Sequence, residues 1–192
     1  METPIANPYT GAKKLQLNDS WSFRCMTDEE CEAAYHRLMN EGTMAYYFPQ
    51  TGINTTLEQW MAVTCHAETF PMAFLYNGEL VGFAQNFPES FMTQCMQVNP
   101  VMFRAFFPLG LRAFWHASMW ALQNLDCISL LGKTPKSNRH IARMLPRIGY
   151  KILGEVSGLF WFDKLQRYDT GIISIATIKS LQEAREKNEN LS

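Results

Sequence analysis

The chain has 192 residues, 47% of them hydrophobic, and a formal net charge of −1. That length and apolar content specify one folded domain with its own core and exclude a disordered chain. The near-neutral charge excludes general nucleic-acid binding, and the apolar stretch "VMFRAFFPLGLRAFW" is broken by Arg104, Pro108, Gly110 and Arg112, so no membrane span is expected.

Residues 1–20, with Pro4, Pro8 and Gly11 and little periodicity, read as an N-terminal arm. "SFRCM" (22–26) is a predicted strand, and "TDEE" (27–30) is a capping box that opens a helix over about 28–41. "TTLE" (55–58) opens a second helix that runs to about His66, with the aromatic loop "YYFPQTG" between the two. Asn77-Gly78 separates two apolar runs in "PMAFLYNGELVGFAQ" (71–85), the pattern of a two-residue hairpin. "FMTQCMQVNP" (91–100) reads as a strand stopped by Pro100. From Pro108 the apolar period becomes helical, through Leu111, Phe114, Trp115, Met119 and Leu122, and Pro108 suits a first helical turn.

"CISLLG" (127–132) is a buried strand. A short basic helix follows in "SNRHIARMLPRIGY" (137–150), with Asn138 at its head, Pro146 near its end and Gly149 as a left-handed cap. "YKILGEV" and "LFWFDKL" form a predicted hairpin around Ser157-Gly158, and an amphipathic helix covers about 174–188. The expected organisation is an arm (1–20), an α/β domain (21–165) and a C-terminal helical extension (166–192). The domain is expected to hold a mixed sheet of about six or seven strands flanked by helices.

Cys25, Cys31, Cys65, Cys95 and Cys127 are odd in number, and no CxxC or zinc-type spacing occurs. They read as small buried apolar residues of a reducing compartment, which makes a cytoplasmic location the expectation. Cys31 with His36, and Cys65 beside His66, resemble metal pairs but have no third ligand nearby in sequence, so no metal is expected.

The element order resembles the GNAT N-acyltransferase superfamily over roughly residues 20–165. The most specific match is Asn138 at the start of a helix with Gly149-Tyr150 closing it eleven residues later, after "CISLLGKTP". The hairpin at Asn77-Gly78 and the strand ending Val98-Asn99-Pro100 fit as well. The resemblance implies a GNAT-like α/β fold, plus the extra C-terminal helix. It also implies a loop of the form Gln/Arg-x-x-Gly-x-Gly/Ala whose backbone cradles acyl-CoA pyrophosphate. If Arg104 starts that motif, Phe107 and Leu109 stand where glycine would. Leu145, seven residues after Asn138, stands where many family members carry a proton-donating Tyr. For a strand-borne carboxylate that would deprotonate the amine, Glu89 is the only acid near the fourth strand, and Glu79, which begins the third, faces solvent in this reading.

Two functions follow. In the first, the eroded loop makes this a GNAT-fold protein without catalysis and without a cofactor, acting on a protein partner. It is then similar to the GNAT-like virion or head-assembly components of tailed bacteriophages. Its candidate interaction residues are Met102, Phe103, Phe106 and Phe107, which form an exposed apolar patch or fill a collapsed cleft, together with Lys136, Arg139 and Arg143. The alternative is a divergent acyl-CoA-dependent N-acyltransferase acting on an amine of a small molecule or protein. In it Asn138 orders the cofactor arm, Val98 lies on the strand that pairs with pantetheine, and Arg104 or the basic helix holds phosphate. Lys133, Lys136, Arg139, His140, Arg143 and Arg147 make up that basic run, which is otherwise a solvated helix face.

Overall fold

A computed structural model describes residues 15–16, 20–48, 54–65, 69–89, 94–162, 165–188 and 191. Most of the expected arm, part of the 46–52 loop, and His66 lie outside these residues. In chain order the elements are β1 (Leu15–Gln16), β2 (Trp21–Cys25), α1 (Asp28–Glu41), α2 (Met44–Tyr47), α3 (Leu57–Thr64), β3 (Phe70–Tyr76), β4 (Glu79–Pro88) and β5 (Cys95–Met102). A 3-10 segment (Arg104–Leu109) leads into α4 (Gly110–Asn124), followed by β6 (Ser129–Pro135), α5 (Arg139–Arg147), β7 (Lys151–Phe162), β8 (Arg167–Ala176) and α6 (Ile178–Lys187). The strands form one sheet of order β1-β2-β3-β4-β5-β6-β8-β7. It has seven main strands and the two-residue edge β1. The β5–β6 pair is parallel and joined by the α4 crossover that such a pair requires, while the other pairs are antiparallel.

Local chemistry places the turns. Asn77 (φ 51) and Gly78 (φ 84) close the β3–β4 hairpin with both central residues at positive φ. Thr27 and Glu30 form the expected capping box of α1. The box of α3 is one residue later than the sequence suggests, at Thr56 and Gln59. Asn138 caps α5 by accepting from the Ile141 N–H at 3.3 Å. Gly149 has φ 99, and the Tyr150 N–H returns to the Leu145 carbonyl at 2.9 Å.

Three expectations are corrected. Ser157-Gly158 is not a hairpin turn: β7 runs through it, and the register against β8 shifts between Val156 and Phe160. Gly158, at φ 71, supplies the backbone of that irregularity. The hairpin is β7–β8. Consequently the chain after residue 166 is not a purely helical extension, because β8 inserts between β6 and β7 and only α6 is helical. Pro100 does not stop β5, which continues to Met102.

The sheet is covered on both faces. α4, α5 and α6 pack on one, around Phe70, Phe74, Trp120, Leu145 and Leu181. α1 and α3 pack on the other, around Leu38, Trp60, Phe83 and Phe103. Among the described residues no helix is long and apolar enough to cross a membrane.

Two positions test this packing. A Cβ at Gly149 would lie 2.5 Å from the Ser180 carbonyl oxygen and 2.9 Å from the Leu181 Cα, at a positive φ. Gly149→Ala should therefore cost about 2–4 kcal/mol in a denaturation curve, through strain and the displacement of α6. His116 is 4% exposed, and among the described residues neither ring nitrogen has a hydrogen-bond partner. Burial, with the charges of Arg112 and Arg185, pushes its pKa down to about 4. The unfolded chain takes up a proton near pH 6.5 and the folded one only near 4, so stability holds above pH 6.5 and falls between the two values. The expected slope approaches ~1.4 kcal/mol per pH unit. Denaturant melts at pH 7, 5.5 and 4.5 should show it, and His116→Leu should flatten it.

Candidate functional site

β5 and β6 pair only at Cys95↔Ser129, Met96↔Leu130 and Gln97↔Leu131. Beyond that both strands continue, held on their outer sides by β4 and β8. The alternation of main-chain direction explains the separation. Phe103 donates to Val81 on the β4 side and Lys136 donates to Thr170 on the β8 side. Even-numbered residues of β5 and odd-numbered residues of β6 therefore turn their main chains toward each other. Extending the ladder would need Lys133 N–H to Val98 O, then Pro100 N–H to Lys133 O, then Pro135 N–H to Pro100 O. The last two bonds cannot form, because proline has no N–H. At Met102 the site is taken by a side chain: the Tyr47 hydroxyl donates to the Met102 carbonyl at 2.8 Å and accepts from its N–H at 3.2 Å. The Val98 carbonyl and the Lys133 N–H are left facing the opening.

This split holds a cleft of about 580 Å³ whose walls come from both faces of the sheet. On the α4/α5 face it meets Phe114, Ser118, Ile141, Met144, Leu145 and Tyr150. On the α1/α3 face it meets Phe48, Val63, Gln85, Phe87, Gln97 and Asn99. The Ser118 and Tyr150 hydroxyls are 3.0 Å apart, beside Gly132 on β6. Burial pushes the Tyr150 phenol up to about 12 against the opposing effect of that hydrogen bond.

A second cavity of about 560 Å³ adjoins the first, with Tyr47, Phe114, Ile141 and Met144 lining both. Its other walls include Phe107, Pro108 and Gly110 at the start of α4, and Arg112, His140, Arg143 and Arg147. Among the described residues no aspartate or glutamate lines it. Among the described residues the three arginines form no ion pair and the buried Arg112 Nε has no hydrogen-bond partner.

The candidate residues separate. Val98, Asn138 and Leu145 line the split. Arg104 lines neither cavity; its backbone N–H donates to the Glu41 carboxylate at 2.9 Å, so a protein carboxylate caps the start of the 3-10 segment. Glu41 is in turn paired with Arg37, whose guanidinium lies over Phe103 at 4.2 Å. Met102, Phe103, Phe106 and Phe107 are not an exposed patch: Met102 and Phe103 are buried in the core, Phe106 packs against it, and only Phe107 is exposed, at 42%. Their placement follows from β5 continuing past Pro100, which carries them into the sheet and its core. Glu89 is paired with Lys133 at 3.2 Å and does not line the cleft. Lys136 is paired with Glu155. Arg139 lies outside both cavities, whereas His140, Arg143 and Arg147 turn into the second. No group of three metal-ligating side chains occurs among the described residues.

No protein-family model matches the chain, and no curated protein matches it in sequence. Its fold does match solved structures. Spermidine N-acetyltransferase from Vibrio cholerae, solved in complex with CoA and spermine, superposes with a TM-score of 0.71 at 10% identity, over 86% of this chain and 99% of that one. A GNAT-family protein from Chromobacterium violaceum superposes with a TM-score of 0.69 at 11% identity, over 95% of this chain and 97% of that one. The fold is that of the GNAT acetyltransferases.

Within this GNAT fold, the sequence reading missed Tyr47 as the side chain that ends the split and Arg112 as the partner of the α5 arginines. It also missed the amides Gln85, Gln97 and Asn99. Two of these left a legible trace: Tyr47 in the aromatic loop "YYFPQTG", and Arg112 as a charged residue in an apolar helical run. The basic cavity makes a direct prediction. Arg143→Gln and Arg147→Gln should leave the unliganded protein unchanged or more stable by up to about 0.5 kcal/mol, since each removes an unpaired like charge. Millimolar inorganic pyrophosphate should raise the melting temperature of the unmodified protein, and each substitution should reduce that rise.

Proposed function

We propose that this protein is an acyl-CoA-dependent N-acyltransferase whose donor lies on the α4/α5 face and whose acceptor amine enters from the α1/α3 face. The observation that carries the reading is the split itself, which opens the sheet to both faces beside a basic, acid-free cavity. A pantetheine amide can take the rung left vacant by Val98 O and Lys133 N–H, donating to the first and accepting from the second. The phosphates meet Arg112, Arg143 and Arg147. Guanidinium side chains thus take the place of a backbone cradle, which Phe107, Pro108 and the Glu41-capped 3-10 segment do not provide.

The reaction needs a proton for the departing thiolate. Leu145 has none to give, but Tyr150 stays protonated at neutral pH and its hydroxyl is shared with Ser118 on the donor face. Glu89 serves to hold Lys133 and is not in position as a base. A contact-only protein is the second reading, favoured by the Glu41 carboxylate at the helix start. The two neighbours named above are described as acetyltransferases, and neither supports a virion or head-assembly role.

Acetyl-CoA titration tests the reading. At a hundredfold its dissociation constant the ligand should add about 2.7 kcal/mol of stability. Affinity should fall with ionic strength, because the phosphates are held by side-chain charges. Amide hydrogen exchange at Lys133 should be fast in the free protein and slowed at least tenfold when acetyl-CoA is bound. An unchanged melting temperature at millimolar acetyl-CoA would leave the contact-only reading standing.

A further inference from the structure

We propose that the acceptor is the α-amino group of a peptide or aminoacyl amide, read by Gln97 and Asn99 on the α1/α3 face of the split; this rests on the acyl-CoA reading above. Three features of that face lead to it. The first is charge. The cleft walls include Lys133, whose charge is already met by Glu89, and among the described residues no aspartate or glutamate lines the cleft. A polyamine or a lysine side chain, protonated with a pKa near 10.4, would enter without a counter-charge from any described residue of the cleft and lose its hydration. A peptide α-amine titrates at about 7.7–8.0, so much of it is already neutral at pH 8 and it needs no carboxylate base to become nucleophilic.

The second feature is the hydrogen-bonding pattern. Gln97 Nε2 donates to Asn99 Oδ1 at 3.2 Å. That bond fixes the two amides relative to each other and leaves Gln97 Oε1 to accept and Asn99 Nδ2 to donate. Both residues are half-buried, on adjacent same-face positions of β5, at the edge of the opening. One acceptor beside one donor is the complement of a single peptide group, which offers one N–H and one C=O. Deeper in the same face, Gln85 is held by its own bond to Thr64 at 2.9 Å.

The third feature is apolar. Phe48, Val63 and Phe87 line this end and can receive the side chain of the first residue. In the reaction the neutral amine nitrogen forms the new C–N bond to the acyl carbon and the C–S bond breaks. The sulfur keeps that electron pair, and one N–H proton is balanced by the proton the CoA thiol gains.

The test uses the full chain with acetyl-CoA at pH 8 and follows release of the CoA thiol. Phenylalaninamide is the probe; spermidine and Nα-acetyl-lysinamide are the competitors. Phenylalaninamide should show a kcat/KM at least tenfold above both. Gln97→Leu and Asn99→Leu should each lower it at least tenfold, mainly through KM, and Gln97→Glu should shift preference toward spermidine. Acetyl-CoA binding is measured separately for every variant, without amine, by thermal shift. Preference for spermidine or the lysine amide overturns the proposal, as do leucine variants with unchanged kcat/KM. Acetyl-CoA binding with no turnover of any of the three amines overturns the acceptor assignment while the donor reading stands. Absence of acetyl-CoA binding removes both.

Discussion

Two prolines keep this sheet open, and the site depends on the opening. Pro100 and Pro135 stand where the two rungs beyond Val98–Lys133 would each need an N–H, and neither residue has one. The strands keep their outer partners, so the missing rungs cost no fold; they leave a gap through the middle of the sheet. Tyr47 fills the end of that gap with a hydroxyl that serves as donor and acceptor to Met102. A buried edge with unpaired main-chain groups is costly; here Val98 O and Lys133 N–H form the one rung where a donor and an acceptor both stand open, while the Lys133 and Pro100 carbonyls face proline nitrogens that cannot donate. That rung is where an amide-bearing ligand gains most by binding.

The electrostatics of the neighbouring cavity follow from how α4 begins. Pro108 and the bulky Phe107 put the chain into a 3-10 segment before the helix proper, and Glu41 satisfies its first N–H. The start of the 3-10 segment, ahead of α4, is therefore capped from within the protein. Positive charge is supplied one turn later by Arg112 and across the cavity by Arg143 and Arg147 of α5. Side-chain charges are longer and more adaptable than a backbone cradle, and they hold an anion with less fixed geometry.

Much of the fold was legible because it rests on local chemistry. Asn77-Gly78 specified its hairpin, Thr27 and Glu30 specified the start of α1, and Asn138 and Gly149 bracketed α5. The mistaken hairpin at Ser157-Gly158 has a physical origin as well: a glycine at positive φ serves a bulge as readily as a turn, and only the partner strand distinguishes them. Of the two readings of Met102, Phe103, Phe106 and Phe107, the exposed patch fails, because exposure depends on which strand edge and helix cover it. Once β5 continues past Pro100, the first two of these residues are carried into the core.

By itself the sequence determined where the backbone can turn, where helices are capped and where a ladder bond is impossible, since these follow from one residue or from neighbours within four positions. The tertiary structure alone decided that β8 lies between β6 and β7, that Arg112 shares a cavity with Arg143 and Arg147, and that the face carrying Gln97 and Asn99 is the one covered by α1 and α3. These depend on strand register and on contacts between residues far apart in the chain. A one-residue slip in register would move every side chain of a strand to the opposite face.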